Sequence, residues 1–350
     1  MAVLGLDHVQ LAVQPRARLL ATALALGLVA ALWLSLSALL AASADGASAK
    51  RIVSLLNAQR ATNGIPAGIA EDPQWSEDCA QHNAYEKRNH VFGHAETEGK
   101  PGYSAQGNLI AATSVLAEGI YWGDHDPYDN APYHLFDLLN PRIDSIGAAD
   151  SEGFGCVEIE LGAERAAPAR VTGYSFPGNG HRGVAIAERA DELPMTPAQT
   201  LGLGTKASGP NLLVYFDGPW TNGSRARLTS ATLSSTHGSV ALKWLDNTTS
   251  DLLAPTGAIL VPVSPLRPAT NYHARVQGTV TGVIPASSIE PALSEACEQE
   301  ADGSVSCGQP PPTACVEDFA TQQSICGLSE SWPVKEEFSF TTAKSHQTAR

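Results

Sequence analysis

The sequence predicts an α+β protein, with helices mixed among strands in its first half and strands alone in its second. Apolar residues recur at helical spacing near the start, as Ile52, Leu55 and Leu56 do. Beyond about residue 200, short apolar runs alternate with turn residues, which is typical of strands. The helices of the first half do not alternate regularly with strands, so a regular βαβ sheet is not expected. At 350 residues, 43% of them hydrophobic, the chain is long enough for two domains.

The N-terminus predicts an export signal or a membrane anchor over residues 1–49. Arg16 and Arg18 precede an uncharged run, 19–44, which ends in small residues that fit the A-x-A cleavage pattern. The run is also long enough to cross a bilayer as one helix. The segment is therefore either cleaved or retained in contact with the membrane. In both cases we expect the rest of the chain to be secreted or anchored at the outer face of the membrane or envelope.

Two helices are predicted at the start of the first domain. One begins near Lys50 and is broken by the sequence NGIPAG. The other has Asp72 as its cap and Pro73 at its first position. It places Cys79 and His82 on one face, so His82 is expected to be a core histidine.

A polar, glycine-rich loop is expected from about Gly93 to Asn108. A third helix should follow Pro132, bury its leucines and stop at Asn140, because proline comes next. Short strands are expected around 145–148, 155–161 and 170–175. Together these elements predict one α+β domain over residues 50–190.

The second half is predicted to be a β-sandwich over residues 201–345, after a proline-containing linker at 191–200. Its predicted strands are NLLVYF, ARLTSATLSS, SVALKWL, GAILVPV, NYHARVQGTV and EEFSFTTA. Strands at such spacing are typical of sandwiches. Residues from about 281 to 334 are acidic, rich in proline and contain four cysteines, so we expect a disulfide-stapled insertion between the last two strands.

The six cysteines fit the prediction of export, because an oxidising compartment favours disulfides. Cys79 and Cys156 are expected either to be linked or to be buried as free thiols. The remaining four are Cys297, Cys307, Cys315 and Cys326. They allow three pairings. Pairing of neighbours, 297 with 307 and 315 with 326, is favoured because the turn signal Asp302-Gly303 lies between the first two.

Four segments match, in order, the motifs of one family. They are LLNAQRATNGIPAGIAEDPQWSEDCAQHNAYEKRNHVFGH, YSAQGNLI, DNAPYHLFDLLNPRIDSIGAA and YSFPGNG. With them, residues 50–190 resemble the CAP superfamily of cysteine-rich secretory, antigen 5 and plant pathogenesis-related proteins. The resemblance implies an α/β/α sandwich for this domain. The chain beyond it is similar only to generic Ig-like or fibronectin-like sandwiches.

The CAP resemblance implies a cleft in which two histidines and two glutamates hold a divalent metal ion. His94 matches the first histidine and His134 the second. Gly107 stands where the first glutamate is expected, so that carboxylate is absent. The second glutamate has no clear equivalent, and Glu118, Asp124 and Asp126 are the nearby candidates for its place. Tyr103 and Asn108 are further candidate cleft residues.

Two imidazoles alone hold a first-row metal weakly, since stable sites use a third protein ligand. We therefore expect no tightly bound cofactor, and at most a weakly bound divalent cation such as zinc. No G-x-S-x-G elbow, H-E-x-x-H helix, Walker loop or GxGxxG after a strand is present. A net charge of −14, without a basic stripe carrying aromatics, argues against a nucleic-acid partner.

Three functions are compatible with these patterns. The first is a non-catalytic, surface-exposed binding module for a small apolar or lipid-like ligand, or for a peptide. The second is a metal-assisted hydrolase of peptides or envelope polymers that uses His94 and His134. The third is a structural envelope protein. We favour the first, because Gly107 removes the family's carboxylate and the N-terminus resembles an anchor.

Overall fold

The structure is a computed structural model, and it describes most of the chain from Ala47 onwards. The described residues are 47–119, 122–123, 127–221, 223–285, 297–299, 305–307, 313–318 and 323–345. Most of the predicted export segment therefore lies outside them, as do Asp124 and Asp126. No helix within the described ranges is long and apolar enough to cross a membrane.

The described helices include the three that the sequence predicts and two that it does not. They are α1 (Ala49–Thr62), α2 (Pro73–Asn89), α3 (Ala105–Thr113), α4 (Pro132–Leu138) and α5 (Pro197–Thr200). The predicted cap of α2 is confirmed, since the Asp72 side chain accepts from the amides of Gln74 and Trp75. The fold is thus a mixture of helices and strands, as predicted.

The prediction of a loop as far as Asn108 is wrong at its end, because α3 begins at Ala105. Ser104 starts this helix: its hydroxyl accepts a hydrogen bond from the Gly107 amide at 2.8 Å. The four residues before Leu109 include no large apolar side chain, so the sequence shows no helical periodicity there. The capping interaction and the buried Ile110 decide the conformation instead.

The first sheet has four strands in the order β1-β3-β4-β2. They are β1 (Ala70–Glu71), β2 (Ser114–Glu118), β3 (Ser145–Ser151) and β4 (Phe154–Glu158). β1 is parallel to β3, and the other pairs are antiparallel. The predicted strands near 145 and 155 are confirmed, whereas β1 and β2 were not predicted.

Helices cover both faces of this first sheet. Successive residues of a strand point to opposite faces. On β4, Cys156 accordingly packs with α2 and α3, and Val157 packs with α1 and α4. Cys79 of α2 is disulfide-bonded to Cys156, with 5.5 Å between the Cα atoms. This confirms the linked form of the predicted pair.

The second sheet has four strands in the order β10-β11-β7-β5, and the third contains β15-β16-β12-β8-β9 with β6 beside β16. The strands before residue 250 are β5 (Thr172–Phe176), β6 (His181–Val184), β7 (Leu212–Asp217), β8 (Arg225–Ser235), β9 (Gly238–Val240) and β10 (Leu242–Asp246). The later ones are β11 (Gly257–Pro262), β12 (Asn271–Pro285), β15 (Thr313–Asp318) and β16 (Gln323–Thr342). Each predicted strand run of the second half overlaps at least one of these strands, and β12 and β16 extend well beyond the runs that predicted them.

Both faces of the second sheet are buried. On β7, Leu213 and Tyr215 belong to the buried cluster that includes α1 and α4, while Val214 and Phe216 belong to the cluster that includes the third sheet. The Tyr215 ring stacks on Phe136 of α4, with 4.5 Å between ring centroids. Strands buried on both faces are apolar throughout, which explains the run NLLVYF.

Strands from before residue 190 pair with strands from after it. β5 is antiparallel to β7, and β6 is parallel to β16. The described residues all belong to one compact unit, Gly46–Arg350. The predicted linker contains the short helix α5, which Thr196 caps.

The strand register brings the cysteines of the predicted insertion together in pairs. Cys297 lies opposite Cys307 between β13 (Cys297–Gln299) and β14 (Val305–Cys307). Cys315 of β15 lies opposite Cys326 of β16. This backbone arrangement is the one that neighbour pairing needs, and the two bonds themselves stay predictions.

Candidate functional site

A buried cluster of one histidine and two glutamates lies beside the predicted metal-binding motif. His82 of α2 is fully buried, as predicted. Its Nδ1 is hydrogen-bonded to Glu96 Oε1 at 3.0 Å, and its Nε2 lies 3.5 Å from Glu86 Oε1. The second distance allows ion pairing but is too long for a good hydrogen bond. Burial lowers the pKa of His82, but the two glutamates outweigh it and raise that pKa above its ordinary value.

Glu96 occupies the space beside Gly107, where the CAP resemblance implies a glutamate. A Cβ added to Gly107 would clash with Glu96 Oε1 and would lie 3.0 Å from its Cδ. The Glu96 carboxylate also accepts from the Ser104 amide, and the Asn108 side chain accepts from the Glu96 amide at 2.8 Å. A carboxylate is therefore present next to residue 107, but it is engaged by His82 and the backbone.

The other residues of the predicted cleft lie near this cluster or on the surface. His94 is exposed, and its Nδ1 is hydrogen-bonded to the Ala111 carbonyl of α3 at 2.9 Å. Tyr103 is half-buried, and its amide donates to the Lys100 carbonyl. Glu118 is exposed at the end of β2.

His134, the second predicted histidine, has a different partner. Its Nδ1 is hydrogen-bonded to Glu192 Oε2 at 3.1 Å, and its ring stacks on Tyr128. The same carboxylate oxygen accepts from the Tyr133 amide at 3.0 Å. Ala131, the N-cap residue of α4, has no side-chain oxygen that could accept from the first turn. The Glu192 carboxylate accepts in its place. Burial raises the pKa of Glu192, and His134 opposes that shift.

Glu192 also lines a pocket of about 340 Å³. We name it the Glu192 pocket; its polar lining includes Glu188, Arg189, Asp191, Glu192, Lys206 and Asn211. Small-molecule sites have volumes of about 300–1,000 Å³. Glu188 accepts from the Asn211 amide and side chain, at 2.8 and 2.6 Å. Burial raises the pKa of Glu188 to about 7.

Two buried acceptor atoms have no partner in the described structure and belong to residues that line the Glu192 pocket. They are Glu192 Oε1 and Asn211 Oδ1. The Glu192 side chain is 1% exposed, and Asn211 is 7% exposed. A buried acceptor without a donor costs free energy, about 1–3 kcal/mol and more for a charged group. Neither atom is accessible to water, so both lie behind the surface of the pocket and not on it.

A second cavity, between α4 and β7, is smaller. Its volume is about 60 Å³, and Asp137, Arg142, Asp217 and Trp220 are among the residues that line it. Arg142 fills part of this space, since it pairs with Asp217 and donates to the Trp220 carbonyl. The remaining volume holds only a few water molecules. The Glu192 pocket is therefore the candidate binding site.

Metal binding has no assembled site in the part of the chain that is described. No three His, Cys, Asp or Glu side chains are grouped there so that they could hold a metal ion. His94 and His134 have separate partners, the Ala111 carbonyl and Glu192. Weak zinc binding by these two histidines stays a prediction.

The sequence patterns did not reveal the carboxylates that lie beside His82 or those that line the Glu192 pocket. Glu96 lies two residues after His94 and shows no pattern of its own. Glu188 lies just before the predicted linker and Glu192 lies within it, in a segment whose charges predict exposure. Glu188 is buried with Asn211 as its partner, and Glu192 with His134. Both partners are distant in sequence, so no local pattern reveals them.

The comparisons with known proteins add nothing to this geometry: no family model, curated protein or solved structure matches the chain.

Proposed function

We propose that this protein is an exported or surface-anchored binding module, without catalytic activity, that holds a small ligand in the Glu192 pocket. The observation that carries the proposal is a pocket of ligand size whose lining includes the buried carboxyl groups of Glu188 and Glu192.

Export is supported by the N-terminal apolar run and by the Cys79–Cys156 disulfide, since disulfides persist in oxidising compartments. A CAP-like first domain is supported by the order of its four sequence motifs and by the helices on both faces of the first sheet. An Ig-like second part is supported by the apolar contact between the second and third sheets.

Ligand retention tests the proposed function. The full chain, purified from its native host, should release a small molecule that mass spectrometry detects after solvent extraction. Thr205→Trp should remove most of that molecule, because Thr205 is an exposed residue of the pocket wall and a tryptophan there would fill the opening. The matched control is Thr236→Trp, which adds the same side chain at an exposed position after β8.

The competing functions give different results in this experiment. A structural envelope protein would release no ligand, and Thr205→Trp would change nothing. A metal-assisted hydrolase would contain stoichiometric metal, which His94→Ala would remove without affecting the extract. Absence of any retained molecule, together with equal extracts from both tryptophan variants, would contradict the binding module.

A further inference from the structure

Two peptide bonds near the start of the described chain fit the A-x-A cleavage pattern, and a choice between them rests on the proposed export. One bond follows Ala42-Ser43-Ala44, and the other follows Ala47-Ser48-Ala49. Both motifs place small residues at the last and third-last positions before the cut, so the sequence pattern does not distinguish them. The contacts of the residues between the two bonds do distinguish them.

The first described residue, Ala47, is part of the folded domain. Its amide donates to Asp150 Oδ2 at 3.2 Å, and its side chain packs against the core cluster that includes α1 and the first sheet. Asp150 of β3 is 4% exposed, and the same carboxylate oxygen accepts from the Trp122 amide at 2.7 Å. A chain that begins at Lys50 would lack the Ala47 amide. It would leave this buried carboxylate with one donor fewer, which costs free energy.

Ser48 caps the helix α1. Its hydroxyl accepts from the Arg51 amide at 3.4 Å, and its carbonyl accepts from the amides of Arg51 and Ile52 at 2.8 and 3.0 Å. Removal of Ser48 would take these acceptors away from the first turn. A cut after Ala49 would also place a new α-amino group beside Lys50, at the positive end of a helix whose first turn has no acidic residue. Both effects oppose a chain that begins at Lys50.

We propose that the export segment is removed by hydrolysis of the Ala44–Asp45 bond, so that the mature protein begins at Asp45. This cut spares the contacts of Ala47 and Ser48, and the compact unit of the fold begins at Gly46. A signal peptidase of the host catalyses the step, with water as the second reactant. The hydroxyl of water is added to the Ala44 carbonyl carbon and its proton to the Asp45 nitrogen, which releases the export segment as a peptide.

Intact-mass spectrometry and N-terminal sequencing of the protein, produced from the full chain in its native host, test the proposal. We expect Asp45 to be the first residue. Ala44→Glu should abolish this product, because a large charged side chain replaces the small residue that the pattern requires before the cut. Ala49→Glu is the matched control, since it destroys the second motif in the same way. A glutamate in the first turn of α1 suits the helix dipole, so this product should still begin at Asp45.

A stability measurement tests the structural reason for the choice. In urea titrations, a chain that begins at Lys50 should unfold at a lower urea concentration than one that begins at Asp45, or should not fold. Only the longer chain keeps the Ala47 amide and the Ser48 cap. Equal midpoints would show that these two residues do not select the site, and would overturn the inference.

The outcomes separate this inference from the proposed function. A product that begins at Lys50 would overturn the inference, as would an uncleaved chain exposed at the cell surface. In both cases the exported binding module would stand. An uncleaved chain that stays inside the cell would contradict export, and with it both proposals.

Discussion

At the scale of single residues, His82 and its two glutamates have consequences for stability that depend on pH. His82 is buried between Glu86 and Glu96, and its pKa is raised in the folded protein. Protonated His82 therefore stabilises the fold below the unfolded pKa of about 6.5, and this contribution is lost as the pH rises through the raised folded pKa. Buried carboxyl groups with raised pKa values, such as Glu158 at about 7, act in the same direction.

We predict that the free energy of unfolding falls between about pH 6 and pH 8, and falls less in His82→Gln. Glutamine keeps a hydrogen-bonding group at position 82 but cannot gain a proton. The part of the pH dependence that comes from His82 should therefore disappear. Urea titrations at several pH values measure this. His237→Gln, at an exposed histidine in a turn, is the control and should follow the wild type. If His82→Gln leaves the pH dependence of the free energy of unfolding unchanged, ion pairing of His82 with the two glutamates is contradicted.

At the scale of elements, the disulfide fixes α2 against the first sheet. Cys79 and Cys156 are fully buried and pack with Ile110, Leu116 and Ala149, in a cluster with few other residues. So small a cluster supplies limited hydrophobic free energy, and the bond closes a loop with a sequence separation of 77. In the chain-entropy description, a loop of that length contributes about 4.5 kcal/mol.

The double variant Cys79→Ala/Cys156→Ala should therefore lower the free energy of unfolding by about 2–5 kcal/mol. Denaturant titration measures the loss. Reduction of the wild type with dithiothreitol should give a loss of similar size. Any further effect of dithiothreitol on the double variant would come from the four cysteines of the insertion, whose backbones lie opposite one another in pairs. A double variant as stable as the wild type would rule out a stabilising role for the bond.

At the scale of the whole molecule, β7 joins the two halves of the chain. One of its faces packs against α4 of the first half and the other against the third sheet. β5 and β6, which precede residue 190, also pair with strands of the second half. This arrangement bears directly on whether residues 50–190 and 201–345 are separate folding units.

We predict that the halves unfold together, and that Tyr215→Ala lowers the free energy of unfolding by about 3–5 kcal/mol. Hydrogen exchange followed by mass spectrometry should show faster exchange in peptides from both β4 and β12. Tyr215→Phe is the matched control: it removes only a hydroxyl that has no partner in the described structure, so it should be neutral or stabilising. Faster exchange confined to the second half would mean two independent domains.

Local sequence signals predicted most elements but not the carboxylate clusters. Capping residues and hydrophobic periodicity act within a few positions, so α2, α4 and the strands of the second half could be predicted. The burial of Glu96, Glu188 and Glu192 could not, because each is held by residues that only the fold brings close.

The sequence by itself determined the mixture of helices and strands, the cap of α2, the buried His82 and the pairing of Cys79 with Cys156 as one of two alternatives. Only the tertiary structure decided that Glu192 is the partner of His134, that Glu96 lies against Gly107, and that β5 joins the sheet of β7. The physical reason is the separation along the sequence of the residues that interact. Backbone conformation follows from neighbours in the chain, whereas desolvation of a charge depends on whatever the fold places around it.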